Sequence, residues 1–280
     1  MAIAKSVHTN SSASRDVISL IGRAGYAARA AIYLMVGISA GRATIDPSHL
    51  PGGFTESLSF LQDHWAGGII IALLAIGMAC FASWLVTSAI RRRDHRGPAH
   101  WVLVAGLLGD AAIYLGFMVS LLGMMFGASA GSEHLLQSWV SWLVTGLTGK
   151  MIVGFAAAIV FACGAGLVAW GVAGDIEGPL ELPPTEKRLM LPIGRYGTSG
   201  RGLSIALVGG YLFVSAIQND PSRAHELGGV LNDLRSWPGG VVITGAFALA
   251  FIGSSILDLV VATYRRFDVV GARRENRKRK

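Results

Sequence analysis

Residues 67–90 read GGIIIALLAIGMACFASWLVTSAI and contain no charged side chain. About 20 mostly apolar residues are enough for a helix to cross the hydrocarbon core of a bilayer, so this segment predicts a transmembrane helix. Residues 151–174 and 202–219 are also free of charge, and residues 101–131 and 238–262 each contain a single aspartate. The chain therefore contains five clear candidates for membrane spans.

A sixth span is predicted over the first apolar segment, although this segment is shorter. Arg29 and Arg42 leave only residues 30–41 without charge, about 18 Å of helix against roughly 30 Å of hydrocarbon. The alternative is a cleaved signal peptide, because the segment follows Lys5 and Arg15 and ends in small residues. With 52% hydrophobic and 15% charged residues, the chain is too apolar for a single soluble domain. We predict an all-α integral membrane protein with six transmembrane helices.

The 24 lysines and arginines are distributed unevenly between the two sides of the predicted membrane. Eighteen of them lie in the N-terminal tail, after the second and fourth spans, and at the C-terminus. Basic residues accumulate in cytoplasmic loops, so both termini are predicted to be cytoplasmic. The basic end of the chain, residues 273–280, is expected to orient the protein or to contact anionic lipid, rather than to bind nucleic acid.

Three similar segments indicate an internal repeat. Residues 22–37, GRAGYAARAAIYLMVG, align with residues 194–209, GRYGTSGRGLSIALVG, at an offset of 172. The same offset pairs a tryptophan and two glycines further along: Trp65, Gly67 and Gly68 with Trp237, Gly239 and Gly240. The segment AAIYL occurs at residues 30–34 and again at residues 111–115, which identifies a middle copy. We therefore predict three parallel helical hairpins in a pseudo-threefold arrangement.

The repeat divides the chain into six predicted parts. They are a cytoplasmic N-terminal tail (1–19), a first hairpin (20–97), a second hairpin (98–174), a cytoplasmic linker (175–191), a third hairpin (192–267) and a basic cytoplasmic tail (268–280). The outer connections of the first and third hairpins are expected to form short amphipathic helices, because leucines recur there at helical spacing. Examples are Leu58 and Leu61 in the first hairpin and Leu231 and Leu234 in the third.

The hairpins also carry a family resemblance. Gly22 begins the pattern G-R-x-G-x-x-x-R, which returns at Gly194, and the last span runs into TYRRF at residues 263–267. In these features the chain resembles, over residues 20–268, the bacterial family called domain of unknown function 1206. The resemblance implies a three-hairpin fold in the bacterial inner membrane, and it implies no activity. The middle copy departs from the pattern at Asp110, where the other copies have an arginine.

Residue types that catalyse reactions or bind cofactors are poorly placed in this chain. All seven histidines fall in loops or at the ends of predicted spans, so no pair is positioned to bind haem between helices. Cys80 and Cys163 lie in different spans, which predicts buried apolar side chains and neither a metal site nor a disulfide. We find no phosphate-binding loop and no catalytic nucleophile motif. The sequence therefore predicts no enzymatic activity, no cofactor and no metal.

Four charged residues fall inside the predicted spans: Arg29, Asp110, Arg201 and Asp258. Charge within a membrane is costly, and it marks either a structural tie or a functional pathway. We predict an intramembrane charge network in which the two aspartates neutralise the two arginines in the cytoplasmic half of the bundle. The alternative is that the arginines extend toward lipid phosphates at the membrane surface.

Two functions remain open at this level. Because no chemistry is visible, the first is a nonenzymatic membrane protein, such as a structural or accessory subunit that binds a membrane-protein partner or a second copy of itself. The alternative is a transporter or channel for a small solute or ion, in which the four charged residues line a pathway.

Overall fold

The computed structural model describes residues 2–54, 56–62, 64–91, 98–126, 132–144, 146–174 and 184–264. Eight α-helices lie in these ranges: α1 (Ala2–Ile45), α2 (Gly67–Arg91), α3 (Pro98–Met125), α4 (Ser132–Val144), α5 (Leu147–Ala173), α6 (Pro184–Gln218), α7 (Leu227–Ser236) and α8 (Gly240–Tyr264). Two short 3₁₀ helices, Glu56–Leu61 and Pro221–Arg223, follow α1 and α6. These ranges contain no strand, so the predicted all-α class is confirmed.

Five helices are long and apolar enough to cross a membrane: α2, α3, α5, α6 and α8. They correspond to the five apolar segments that the sequence identifies as the clearest candidates, with small differences at the ends. The first helix, α1, is not among them, because Arg29 interrupts its apolar segment. A sixth span over α1 therefore stays a prediction.

The six long helices pack in a row. Its order is α3, α2, α1, α8, α6 and α5, and each helix contacts the next. In the first and third predicted hairpins, the two helices of each hairpin lie side by side. In the second hairpin, the described parts of α3 and α5 make no comparable contact.

The first and third hairpins close through matching contacts. A Cβ atom added to Gly25 in α1 would come 2.7 Å from the Cα of Phe81 in α2. A Cβ atom added to Gly197 in α6 would come 2.9 Å from the Cα of Ser254 in α8. Both distances are shorter than real Cβ contacts, so glycine is what lets the two backbones approach so closely. The contacting glycines of the two first helices, Gly25 and Gly197, are therefore 172 positions apart. The residues that they meet in the second helices, Phe81 and Ser254, are 173 positions apart.

A tight turn recurs where a second helix begins. In each case a Cβ atom on a glycine would collide with the carbonyl oxygen of a leucine six residues earlier: Gly67 with Leu61, Gly149 with Leu143 and Gly240 with Leu234. By this contact Gly67 corresponds to Gly240, one residue beyond the partner that the sequence alignment assigns to it. The turn supports the predicted repeat, whereas the complete threefold arrangement stays a prediction.

Two predicted segments contain helical backbone. Helix α1 begins at Ala2, inside the predicted tail of residues 1–19. Helix α6 begins at Pro184, inside the predicted linker of residues 175–191. Proline is well suited to the first turn of a helix, because the N–H that it lacks has no partner there. The first part of the linker and the basic C-terminal tail lie outside the described residues.

The outer connections of the first and third hairpins each contain a short helix whose leucines pack inward. In α7, Leu231 and Leu234 are buried. In the first hairpin the corresponding helix is of the 3₁₀ type, and Leu58 and Leu61 are buried. The apolar faces of both elements join the core formed by the long helices.

Candidate charge cluster

Arg29 in α1 and Asp258 in α8 form an ion pair with two hydrogen bonds. The Nε of Arg29 donates to Oδ2 of Asp258 at 2.7 Å, and Nη2 donates to Oδ1. Both residues are buried, with only 8% of Arg29 and 2% of Asp258 exposed. Such a bidentate pair matches the flat guanidinium to the carboxylate and is the strongest form of the interaction. The pair ties the first long helix to the last one.

Aromatic rings surround the Arg29 guanidinium. Its Cζ lies 4.2 Å from the ring centroid of Phe81 and 4.8 Å from that of Tyr26, and it lies 5.9 Å from the rings of Tyr33 and Tyr114. A cation is attracted to the face of an aromatic ring, most strongly where water is excluded. The rings therefore compensate part of the cost of burying the charge.

The two tyrosines of this group connect α1 to α3. The hydroxyls of Tyr33 and Tyr114 lie 2.9 Å apart and share a hydrogen bond. These residues occupy the same position in the repeated AAIYL segment. Sequence reasoning missed the aromatic shell, although a tyrosine four residues after both Arg29 and Asp110 was a signal that could have revealed it.

Arg201 and Asp110 lie nearby but do not pair. Arg201 in α6 is half-buried, and its Cζ lies 5.6 Å from the ring of Tyr33. Asp110 in α3 is half-buried. The positive charge of Arg201 acts on its carboxylate more strongly than that of Arg29. No ion pair joins either of them to another residue within the described ranges. The structure thus brings Arg29 and Asp258 together and leaves Asp110 and Arg201 apart, and the network of four stays a prediction.

One face of α3 is uncovered next to Asp110. Gly106 and Gly109 occupy the repeat positions of Gly25 and Ala28 in α1, which pack against α2. Among the described residues, and apart from the backbone of α3 itself, a Cβ atom on Gly106 or Gly109 would meet nothing within 4 Å. We call these two glycines the uncovered face of α3. The contact that closes the first and third hairpins is therefore missing in the second.

The fold and its buried ion pair define a helical architecture that is compatible with a membrane protein crossing the bilayer several times. The family model described as Domain of Unknown Function (DUF1206) matches the chain at residues 24–92 and at residues 196–265. The resemblance seen in the sequence is thus confirmed, and these two regions of the chain belong to the DUF1206 family. The matched regions coincide with the first and third hairpins and leave out Asp110 and the uncovered face of α3.

A relative of similar length is an uncharacterized protein of Bacillus subtilis strain 168, YxxB. It is 26% identical over 254 residues, which cover 84% of this chain and 86% of the relative. No solved structure matches the chain. The similarity therefore extends over most of both proteins, including the region between the two family matches.

Proposed function

We propose that this protein is a nonenzymatic subunit of the bacterial inner membrane that binds a transmembrane helix of a partner protein on the uncovered face of α3. It spans the bilayer six times as three hairpins, with both termini in the cytoplasm. The observation that carries the proposal is that no neighbouring helix among the described residues comes within 4 Å of a Cβ atom on Gly106 or Gly109. At the matching positions of the other two hairpins, a neighbouring helix fills this space.

The ion pair supports α1 as the sixth span. A single arginine would oppose insertion of α1 into hydrocarbon. Asp258 cancels its charge, and the rings of Tyr26 and Phe81 cover its guanidinium. Helix α1 also lies between two helices that are apolar enough to span, α2 and α8. Its position in the row therefore favours a transmembrane path despite Arg29.

Reporter fusions test the proposed topology. Fusions after Asp46, Glu133 and Arg223 are expected to be active only with a reporter that works on the outer side, because most basic residues lie on the other side of the proposed spans. Fusions at Arg91 and Arg188 serve as matched controls and are expected to give the cytoplasmic signal. A cytoplasmic signal after Asp46 would remove α1 from the set of spans.

The partner is expected to be a helix with small residues at its contact. Helix pairs in membranes gain stability from close packing, because burial of apolar surface supplies little driving force in lipid. In the first hairpin, the position that matches Gly109 is Ala28 of α1, which packs against Gly77 of α2. A partner helix that reproduces this contact would complete the packing of α3, and Asp110 beside it could accept a hydrogen bond from the partner.

Photocrosslinking in cells tests the proposed interface. A photoreactive amino acid at Gly109 is expected to give a discrete adduct with another protein, whereas the same amino acid at Ile76, an exposed position on α2, is expected to give none. The substitution Gly106→Leu should abolish the adduct from position 109 because its side chain fills the docking space. Equal labelling from positions 109 and 76 would contradict the interface, and an adduct of twice the chain mass would replace the partner with a second copy.

Transport of a small solute or ion is the second candidate, and one observation favours it. Arg201 and Asp110 are half-buried and pair with no residue in the described parts of the chain. A free cation and a free carboxylate at membrane depth are typical of solute pathways. Flux through reconstituted vesicles that Arg201→Gln abolishes and Gly106→Leu leaves unchanged would favour this function over partner binding.

A further inference from the structure

A second candidate site lies away from the charge cluster, at the proposed outer end of α1. A cavity of about 660 Å³ opens there between α1, the residues at 49–52 and 56–59, and the start of α7. Its exposed lining surface is mostly apolar and includes Met35 and Ile38 of α1, and polar side chains such as Arg42 and Asn232 also line it. Cavities of this size and character are the usual form of sites for small ligands.

The negative charge in the cavity wall is already compensated by the protein. Glu56 accepts the backbone N–H of Gly53 through its Oε2 at 2.7 Å. The same oxygen lies at the N-terminal turn of α7, where a Cβ atom on Gly228 would come 2.5 Å from it. The N-terminus of a helix carries partial positive charge, which stabilises a carboxylate placed there. Glu56 is therefore held by the wall and does not require a cationic ligand.

The positive charge in the cavity has no such partner. Arg42 lies in the last turn of α1, and its exposed side chain makes no hydrogen bond or ion pair with the described residues. The nearby Asp46 is occupied, since it accepts hydrogen bonds from Ser48 and contacts His49 at 3.1 Å. The hydrogen bonds from Ser48, followed by that from His49, lower the pKa of Asp46 to about 2. Asp46 is thus satisfied by its own turn and leaves Arg42 free.

We propose that this cavity binds an anionic amphiphile, a molecule with a carboxylate or phosphate group joined to an aliphatic chain. Arg42 binds the acidic group, and the side-chain amide of Asn232, which also lines the cavity, donates to it. Met35 and Ile38 contact the aliphatic chain. A phospholipid headgroup and a free fatty acid share this chemistry, so both are sources of the ligand.

Native mass spectrometry of the full chain, released from an uncharged detergent, tests the site. The probes are dodecyl phosphate, dodecanoate and phosphatidylglycerol, with dodecanol and phosphatidylcholine as neutral or zwitterionic controls. We expect one bound anionic probe and no retained control. Retention of phosphatidylglycerol alone identifies a lipid site, and retention of a single-chain acid alone identifies a free amphiphile; either result supports the proposal.

Variants separate a specific site from surface charge. Arg42→Gln is expected to weaken binding about tenfold or more, because a charge-assisted hydrogen bond is lost. Arg42→Lys should retain part of the affinity. Arg223→Gln removes an exposed arginine that pairs with Asp220 at 3.3 Å, and it should leave binding unchanged. Equal binding by the Arg42→Gln and wild-type chains, or equal retention of dodecanol and dodecyl phosphate, would overturn the proposal.

Discussion

Replacing Asp258 by asparagine is expected to lower the free energy of unfolding by about 3 to 5 kcal/mol, the typical cost of removing one partner of a buried ion pair. Asp258 is 2% exposed, and both of its carboxylate oxygens accept from Arg29. The substitution leaves the guanidinium charged among aromatic rings with no anion to balance it. Thermal unfolding in detergent, followed by circular dichroism, measures the loss.

The matched controls distinguish the ion pair from a general effect of substitution in α8. The double variant Arg29→Met/Asp258→Leu removes both charges and should recover most of the stability, because apolar residues of similar volume often replace a buried pair without loss. Leucine is a natural choice, since Leu85 occupies the position in α2 that matches Asp258. Asp110→Asn should have a much smaller effect because Asp110 forms no ion pair within the described residues. If Asp110→Asn destabilises as strongly as Asp258→Asn, the assignment of the pair is wrong.

Adding a methyl group at Gly25 or Gly197 is the second change expected to have a large effect. A Cβ atom on Gly25 would lie 2.7 Å from both the Cα and the backbone N of Phe81, and backbone atoms cannot rotate away as a side chain can. The helices must separate, which costs about 1 to 3 kcal/mol in a well-packed core. Alanine also favours a helix over glycine by up to about 1 kcal/mol, and this gain offsets part of the packing cost. The measured loss of stability is therefore a lower limit for the packing cost.

Gly106→Ala is the matched comparison. Gly106 occupies the same repeat position as Gly25 and Gly197, but a Cβ atom there meets nothing within 4 Å among the described neighbouring helices. The purified chain should therefore lose no stability and should gain up to about 1 kcal/mol from helix propensity. Midpoints of thermal unfolding in one detergent compare the three variants directly. A loss for Gly106→Ala as large as that for Gly25→Ala would mean that the face of α3 is already covered.

The spanning helices were predictable because their signal is local. Each of the five requires only a run of about 20 apolar residues, which can be read without knowing its neighbours. The repeat was also visible, since Gly25 and Gly197 keep the same spacing to their arginines. The exact register of the repeat was not visible in the sequence. The aligned tryptophans and glycines give an offset of 172, whereas the turns at Gly67 and Gly240 match at 173, because the backbone must place a glycine against the leucine carbonyl.

The site was predictable as a set of residues but not as a set of contacts. All four charges of the predicted spans follow from the sequence, because a charge within an apolar run is conspicuous wherever it falls. The sequence could not say that Asp258, rather than Asp110, meets Arg29. That choice depends on α1 lying beside α8, and it joins residues that are 229 positions apart.

The sequence by itself determined the all-helical class, the five apolar segments, the family and the identity of the charged residues, because each of these depends on composition or on short-range spacing. Tertiary structure alone decided which helices are neighbours, which charges pair, and that the second hairpin leaves Gly106 uncovered while Gly25 and Gly197 are packed. The physical reason is that similar repeats contain similar local signals. Whether a small-residue face is filled depends on the backbone that reaches it from elsewhere in the chain.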